Sequence, residues 1–263
     1  MKTNDVVLDL LNKIEQAGSW QKNWLNLSAK NAVTGKPYRG INCLLLKGTN
    51  YATFKQIKSS GGTVKKGSKA EKIMFFSLFI DKEDKEKKIP MWKYYNVFNL
   101  NDCENMEKYN IDKKEEFVCD EDLSDIFNKY VKHEAITVTR EGSKAFYEPS
   151  TDSITLPETF LNESGFFETA FHEACHSTGA NSRLNRKTLV NVNGFKTKNY
   201  SREELVAELG ALFCLKGSKI EETVSKNCYA YLKSWIKNLK DKPQELLTAI
   251  SQGQKAKDFI FSI

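Results

Sequence analysis

The stretch "FFETAFHEACHSTGA", residues 166–180, places two of the chain's three histidines four positions apart, with a glutamate directly after the first. On an α-helix, positions i and i+4 share one face, so His172 and His176 would turn their imidazoles toward one point. That is the spacing needed to chelate a divalent metal ion. Glu173 lies one residue on, beside the metal and not aimed at it. This is the HExxH arrangement, in which the carboxylate acts as general base on a water whose pKa the metal lowers to ~7. A polar patch on an ordinary helix is the rival reading. The apolar neighbours Phe166, Phe167, Ala170, Phe171, Ala174 and Cys175 argue against it, because they imply burial, and buried histidines need partners. Gly179 is expected to stop the helix.

A catalytic metal centre of this kind needs a third protein ligand. The later segment "SREELVAELGALFCL" offers Glu203, Glu204 and Glu208, with 27 residues between His176 and Glu204 for a loop and a returning helix. Glu204 and Glu208 share a face beside the stripe Leu205, Leu209 and Leu212, whereas Glu203 is rotated away. Glu204 is therefore expected as the third ligand and Glu208 as the carboxylate that orients a histidine, with the two roles exchangeable. Tyr200 is a candidate for stabilising an oxyanion, or a packing residue before the helix. Zn²⁺ is the expected ion, although two histidines and a glutamate also accept Mn²⁺ or another divalent ion.

The 263 residues are 40% hydrophobic and 28% charged, the balance of a globular protein with a real core. No apolar run approaches the ~20 residues of a membrane span. The opening "MKTNDVVLDLLNKIEQ" reads as an amphipathic helix and not a signal peptide. Six cysteines, at 43, 103, 119, 175, 214 and 228, form no CxxC pair, so a cytoplasmic protein with reduced thiols is expected. The net charge of +6 is uneven. Residues 1–80 carry 13 Lys and Arg against 4 Asp and Glu, residues 81–135 carry 10 against 15, and residues 136–263 carry 17 against 15.

The basic first third suggests a polyanionic partner, with a solvated lysine-rich face as the alternative. Basic and aromatic residues alternate in "KPYRGIN" (36–42), "YATFKQ" (51–56) and "GGTVKKGSK" (61–69). Single strands are held by a positive groove with aromatic platforms on which bases stack. The candidate contacts are Tyr38, Arg39, Asn42, Tyr51, Lys55, Lys65, Lys66 and Trp92. Because bases can stack on Tyr or Trp only when they are not inside a duplex, single-stranded DNA is the expected partner. Composition does not separate it from RNA.

Periodicity predicts an α+β protein of two domains, 1–115 and 116–263. The first is a small aromatic-rich α+β unit: a helix over 3–17, a short helix at 41–47, a helix through "YATFKQIKSSGG" and strands in "TVKKG", "EKIMFFSLFI" and "WKYYNVFNL". "DKEDKEKKIP" reads as a hairpin loop or insertion, and 101–121 as an acidic linker. The second domain starts with a helix at "LSDIFNKYVK" and two or three short antiparallel strands over 135–157. A helical bundle follows, at 164–178, 201–216, 220–238 and 243–261.

Taken together, these segments resemble the ArdC-type antirestriction proteins and related metallopeptidases of plasmids, phages and conjugative elements. The resemblance rests on "GKPYRGINCLLL", "YATFKQIKSSGGTVKKGSKAEKIMFF" and "VFNLNDCEN" in the first half. In the second half it rests on "FHEACHSTGANSRLNR", "YSREELVAELGALFCL" and "YLKSWIKNLKDKPQELLTAISQGQKAKDFI". It implies an N-terminal single-stranded-DNA-binding domain and a zincin-like C-terminal domain, sequence-nonspecific DNA binding, and protection of incoming DNA from host restriction. A restriction protein or another host protein would be the target of a peptidase. Cys175 departs from the glycine the family often has before its second histidine. The alternative from a different class is a non-enzymatic DNA-binding shield whose metal site is structural or vestigial.

Overall fold

The computed structural model describes residues 3–16, 29–46, 48–80, 88–110, 120–190 and 198–263. Its contacts divide the chain into two compact units, Met1–Val6 with Gln21–Glu115 and Val7–Trp20 with Glu116–Ile263. Helix α1, Thr3–Gln16, therefore groups from Val7 onward with the second unit, not with the residues that follow it in sequence. Val7, Leu10 and Leu11 are buried, and Glu15 accepts an ion pair from Lys240 at 2.6 Å.

The first unit is built on a four-stranded sheet. In chain order its elements are β1 (Lys30–Asn31), α2 (Ile41–Leu45), β2 (Asn50–Thr53), α3 (Phe54–Ser59), β3 (Thr63–Val64), β4 (Glu71–Ile80), β5 (Lys88–Asn99) and β6 (Cys103–Glu104). The sheet order is β1-β2-β5-β4, and the long β4–β5 pair is antiparallel. One face buries Tyr51, Ile73 and Val97 with Ala29, Tyr38 and Leu46. The other covers Ala52 with Ile57, Leu100, Cys103 and Met106. Thr53 starts α3 with a capping box, accepting from Gln56 N at 3.3 Å while Gln56 Oε1 accepts from Thr53 N at 2.9 Å. The expected linker begins too early. Residues 101–110 belong to this unit because β6 pairs with β3 and Met106 is buried; residues 111–119 lie outside the described residues, as does the insertion at 81–87.

The second unit opens with α4 (Asp120–His133), followed by β7 (Thr137–Arg140), β8 (Phe146–Glu148) and β9 (Ser153–Leu156). Helices α5 (Glu163–Ser177), α6 (Lys187–Val190), α7 (Lys198–Cys214), α8 (Glu221–Asp241) and α9 (Pro243–Ile260) complete it. The small sheet is mixed and not wholly antiparallel, with order β7-β9-β8. The β8–β9 hairpin is antiparallel, but β7 takes the far side of β9 and so runs parallel to it. This leaves β7 and β8 as the two outer strands. Helix α5 starts at Asn162, whose side chain accepts from Gly165 N at 2.8 Å. Its Phe167 and Phe171 are fully buried, each worth roughly 1.5–3 kcal/mol of apolar burial.

Candidate metal centre

Helices α5 and α7 pack against each other and bring the two motifs together. The Nε2 atoms of His172 and His176 lie 3.2 Å apart. The Glu204 carboxylate faces both, with Oε2 at 3.4 Å from His172 Nε2 and Oε1 at 3.5 Å from His176 Nε2. Among the described residues, these three side chains form a cluster in which one donor atom of each lies within 4.8 Å of the others. Ligands at 2.0–2.1 Å around a tetrahedral ion are separated by about 3.4 Å, so the observed spacings fit one small divalent ion. With both rings neutral, a single Nε2–H on either ring serves one neighbour and leaves the remaining lone pairs facing one another, the arrangement an ion would satisfy.

Behind the rings, two more carboxylates face the Nδ1 atoms. Glu208 Oε2 lies 3.5 Å from His172 Nδ1, and Glu203 Oε1 lies 3.4 Å from His176 Nδ1. Each carboxylate favours the tautomer with hydrogen on Nδ1, which leaves the Nε2 lone pair directed at the shared point. Burial alone would push both rings toward the neutral form. The carboxylates outweigh it: Glu204 and Glu208 hold His172 well above the ordinary range, while Glu203 and Glu204 raise His176 to about 9. Burial likewise works against ionisation of Glu203, but hydrogen bonds from His176 and Arg186 bring it down to about 2. This concentration of negative charge would attract a cation.

Glu203 was legible only as an acid turned away from the pair on its own helix. It is 2% exposed and receives Arg186 Nε at 3.1 Å and Thr188 Oγ1 at 2.5 Å, in addition to His176. Arg186 also donates to Thr178 Oγ1 and to the carbonyl of Cys175, both at 2.6 Å. Arg183 reaches Ser177 O at 2.7 Å, Glu134 Oε2 at 2.9 Å and Asp152 Oδ2 at 2.6 Å. Both arginines stand in the quoted "FHEACHSTGANSRLNR"; what hides their role in sequence is that their partners are distant. Gly179 follows the end of α5, yet it lacks a positive φ. A Cβ there would lie 2.7 Å from Arg186 Nη2, so the glycine makes room for the guanidinium and does not act as a left-handed cap.

A cleft of about 810 Å³ opens on the cluster. His172, Glu173, His176 and Glu204 line it, together with Phe146 and Tyr147 from β8. Glu173 is 6% exposed. The Tyr147 hydroxyl donates to Asp152 Oδ1 at 2.7 Å. Tyr200 lies in α7, with its side chain outside the described residues.

Three of the candidate DNA contacts are buried. Tyr38, Asn42 and Tyr51 are 6%, 6% and 0% exposed, so neither tyrosine ring offers a face to a base. Tyr51 donates to Glu71 and accepts from Gly48 N, both at 2.7 Å. Asn42 clips the β4 backbone at Met74, donating to its carbonyl at 2.9 Å and accepting from its N–H at 2.8 Å. Their sequence positions among basic residues concealed structural roles. Arg39, Lys55, Lys65 and Lys66 are exposed, and Lys65 also donates to Asn101 O at 2.9 Å. Trp92 lies in β5, with its side chain outside the described residues. No described helix is long and apolar enough to cross a membrane.

The chain is similar to known proteins along nearly its full length. Residues 3–98 match the N-terminal domain of the anti-restriction factor ArdC, and residues 125–252 match a zincin-like metallopeptidase domain. Two proteins of Escherichia coli named DNA primase TraC are 30% and 28% identical over 98% and 92% of this chain; the chain matches only 20% and 25% of their lengths. Crystal structures of the antirestriction protein ArdC from plasmid R388 superpose with TM-scores of 0.72 for the metal-free form and 0.75 for the Mn(II)-bound form. They are 27% and 29% identical to this chain, cover all of it, and are themselves covered to 97% and 98%. The protein belongs to the ArdC antirestriction family, pairing an ArdC N-terminal domain with a zincin-like domain.

Proposed function

We infer that the protein protects DNA of a mobile element against restriction, its basic first domain binding single-stranded DNA and its second domain holding a divalent ion at a hydrolytic centre. The observation that carries the second part is the triangle of His172, His176 and Glu204 within 4.8 Å, lining a cleft. These three side chains would hold the ion, and Glu208 and Glu203 would keep the two rings turned toward it. When bound, the ion would supply Lewis acidity, polarising a carbonyl and making water more acidic. Glu173 would accept the proton of the attacking water and deliver it to the leaving amine, as general base and then general acid. Among the described residues β8, one of the two outer strands, pairs on one side only and borders the cleft, so an extended peptide could add to its other edge. Zn²⁺ fits the donor set, and so does the Mn²⁺ present in the related R388 protein. The division of labour assigned to residues 1–115 and 116–263 follows the two family matches.

Metal content per chain, measured on protein purified without added metal, tests the centre. About one ion in the wild type and little in His176→Ala is expected; an equal content in both would remove the assignment. Glu173→Gln should retain the metal and lose any peptidase activity. If that variant protects DNA as well as the wild type, the non-enzymatic shield is the better account.

A further inference from the structure

Among the described residues of the first unit, the large apolar side chains left exposed are Phe54, Phe75 and Tyr95. All three are aromatic. Phe75 and Tyr95 share a place in the fold that composition did not reveal. Ile73 pairs with Tyr95 across β4 and β5, and Phe75 pairs with Lys93. Strand alternation therefore puts Ile73, Phe75, Lys93, Tyr95 and Val97 on one face. Ile73 and Val97 enter the core with Tyr38, Leu46 and Tyr51. Farther along the same face Phe75 and Tyr95 stand 46% and 45% exposed. Their rings meet edge to face, 5.5 Å between centroids. Lys93, also exposed, stands directly across from Phe75.

Two exposed rings on paired strands leave few rotamers to be lost on binding, and their chemistry discriminates between occupants. The central part of a protein–protein contact is depleted in lysine, whereas single-strand sites combine rings with cations. We propose that Phe75 and Tyr95 form a base-stacking platform for single-stranded nucleic acid, with Lys93 meeting the adjacent phosphate. The platform rests on the reading that the first domain binds single strands, and it replaces Tyr38 and Tyr51 with rings that are accessible. A duplex keeps its base faces stacked inside, so the platform selects single strands over double.

The test uses the full chain and a short fluorescent thymidine oligonucleotide, with anisotropy read over a range of salt. Phe75→Ala and Tyr95→Ala should each weaken binding about fivefold or more while leaving the slope of log affinity against log salt unchanged. Phe75→Trp should restore it. Lys93→Gln should lower the magnitude of that slope by about 0.7. Both rings are surface groups, so equal melting temperatures will separate lost contact from lost fold. Alanine variants that bind within about twofold of an oligonucleotide-binding wild type would overturn the platform and leave the single-strand reading standing. Failure of the wild type to bind any single strand would overturn both. Loss of self-association in the alanine variants, with oligonucleotide affinity unchanged, would make the pair a protein contact and likewise overturn the proposal.

Discussion

At Glu203 one carboxylate serves the ring of His176 and the guanidinium of Arg186, two groups with different tasks. Removing it should therefore have two separable effects. Glu203→Gln leaves the Arg186 charge buried without its counter-ion, a change of roughly 3–5 kcal/mol, so the metal-free protein should melt at lower temperature. The same variant should bind metal about 10–100-fold more weakly, because His176 loses the group that orients it. Glu208→Gln should weaken metal binding similarly, with a much smaller shift in melting, since Glu208 is more exposed. Calorimetry without metal and a competition titration with it measure the two effects. Tyr147 supplies a pH test. Burial, then its hydrogen bond to Asp152, pushes its hydroxyl from 10.0 up to about 12. A raised folded pKa means stability fully present below pH 10 and lost as pH rises toward 12. Denaturant midpoints should fall between pH 9 and pH 11, and less steeply in Tyr147→Phe.

Where α7 and α9 pack, glycine meets glycine. A Cβ on Gly253 of α9 would sit 2.9 Å from Gly210 N and 3.1 Å from Val206 O of α7, backbone atoms that cannot rotate aside. Gly253→Ala should destabilise by about 1–3 kcal/mol through this overpacking, read as a lower melting temperature. On its other side Gly210 makes room for Cys175, whose Sγ would be 2.6 Å from an added Cβ. Here Cys175 is accommodated by an absent side chain on the facing helix. Gly210→Ala should likewise destabilise, and Cys175→Ala should relieve part of that loss in a double-mutant cycle. Unchanged melting of Gly253→Ala would show that α7 and α9 can separate without cost. The helices themselves were readable from apolar periodicity. Their crossing was not, because an interior glycine reads as a weakness until its neighbour is known.

On the scale of the whole chain, the basic first 80 residues predict a salt-sensitive interaction. Log affinity for a single-stranded oligonucleotide should fall linearly with log salt. Lys65→Glu with Lys66→Glu should weaken binding across sequences, and unchanged affinity would remove both lysines from the path. The division into units matters as well. α1 opens the chain, yet it groups from Val7 onward with residues 116–263, and Glu15 pairs with Lys240. A contact of such separation leaves no local trace. Metal should raise the melting temperature of the intact protein, by mass action on the folded state, and His176→Ala should abolish that rise.

Local pattern in the sequence was enough for the α+β class, most helices, the two long strands β4 and β5, and the shared helix face of His172 and His176 and that of Glu204 and Glu208. Each rests on a local period or on i, i+4 spacing, which the backbone obeys wherever the chain goes. Tertiary structure decided the rest. It buried Tyr38, Asn42 and Tyr51, exposed Phe75 and Tyr95, joined β7 to β9 in parallel, and set Glu203 between His176 and Arg186. Composition assigns rings and charges to a segment, but burial depends on what packs over that segment. For these residues the cover, or its absence, comes from chain many positions away.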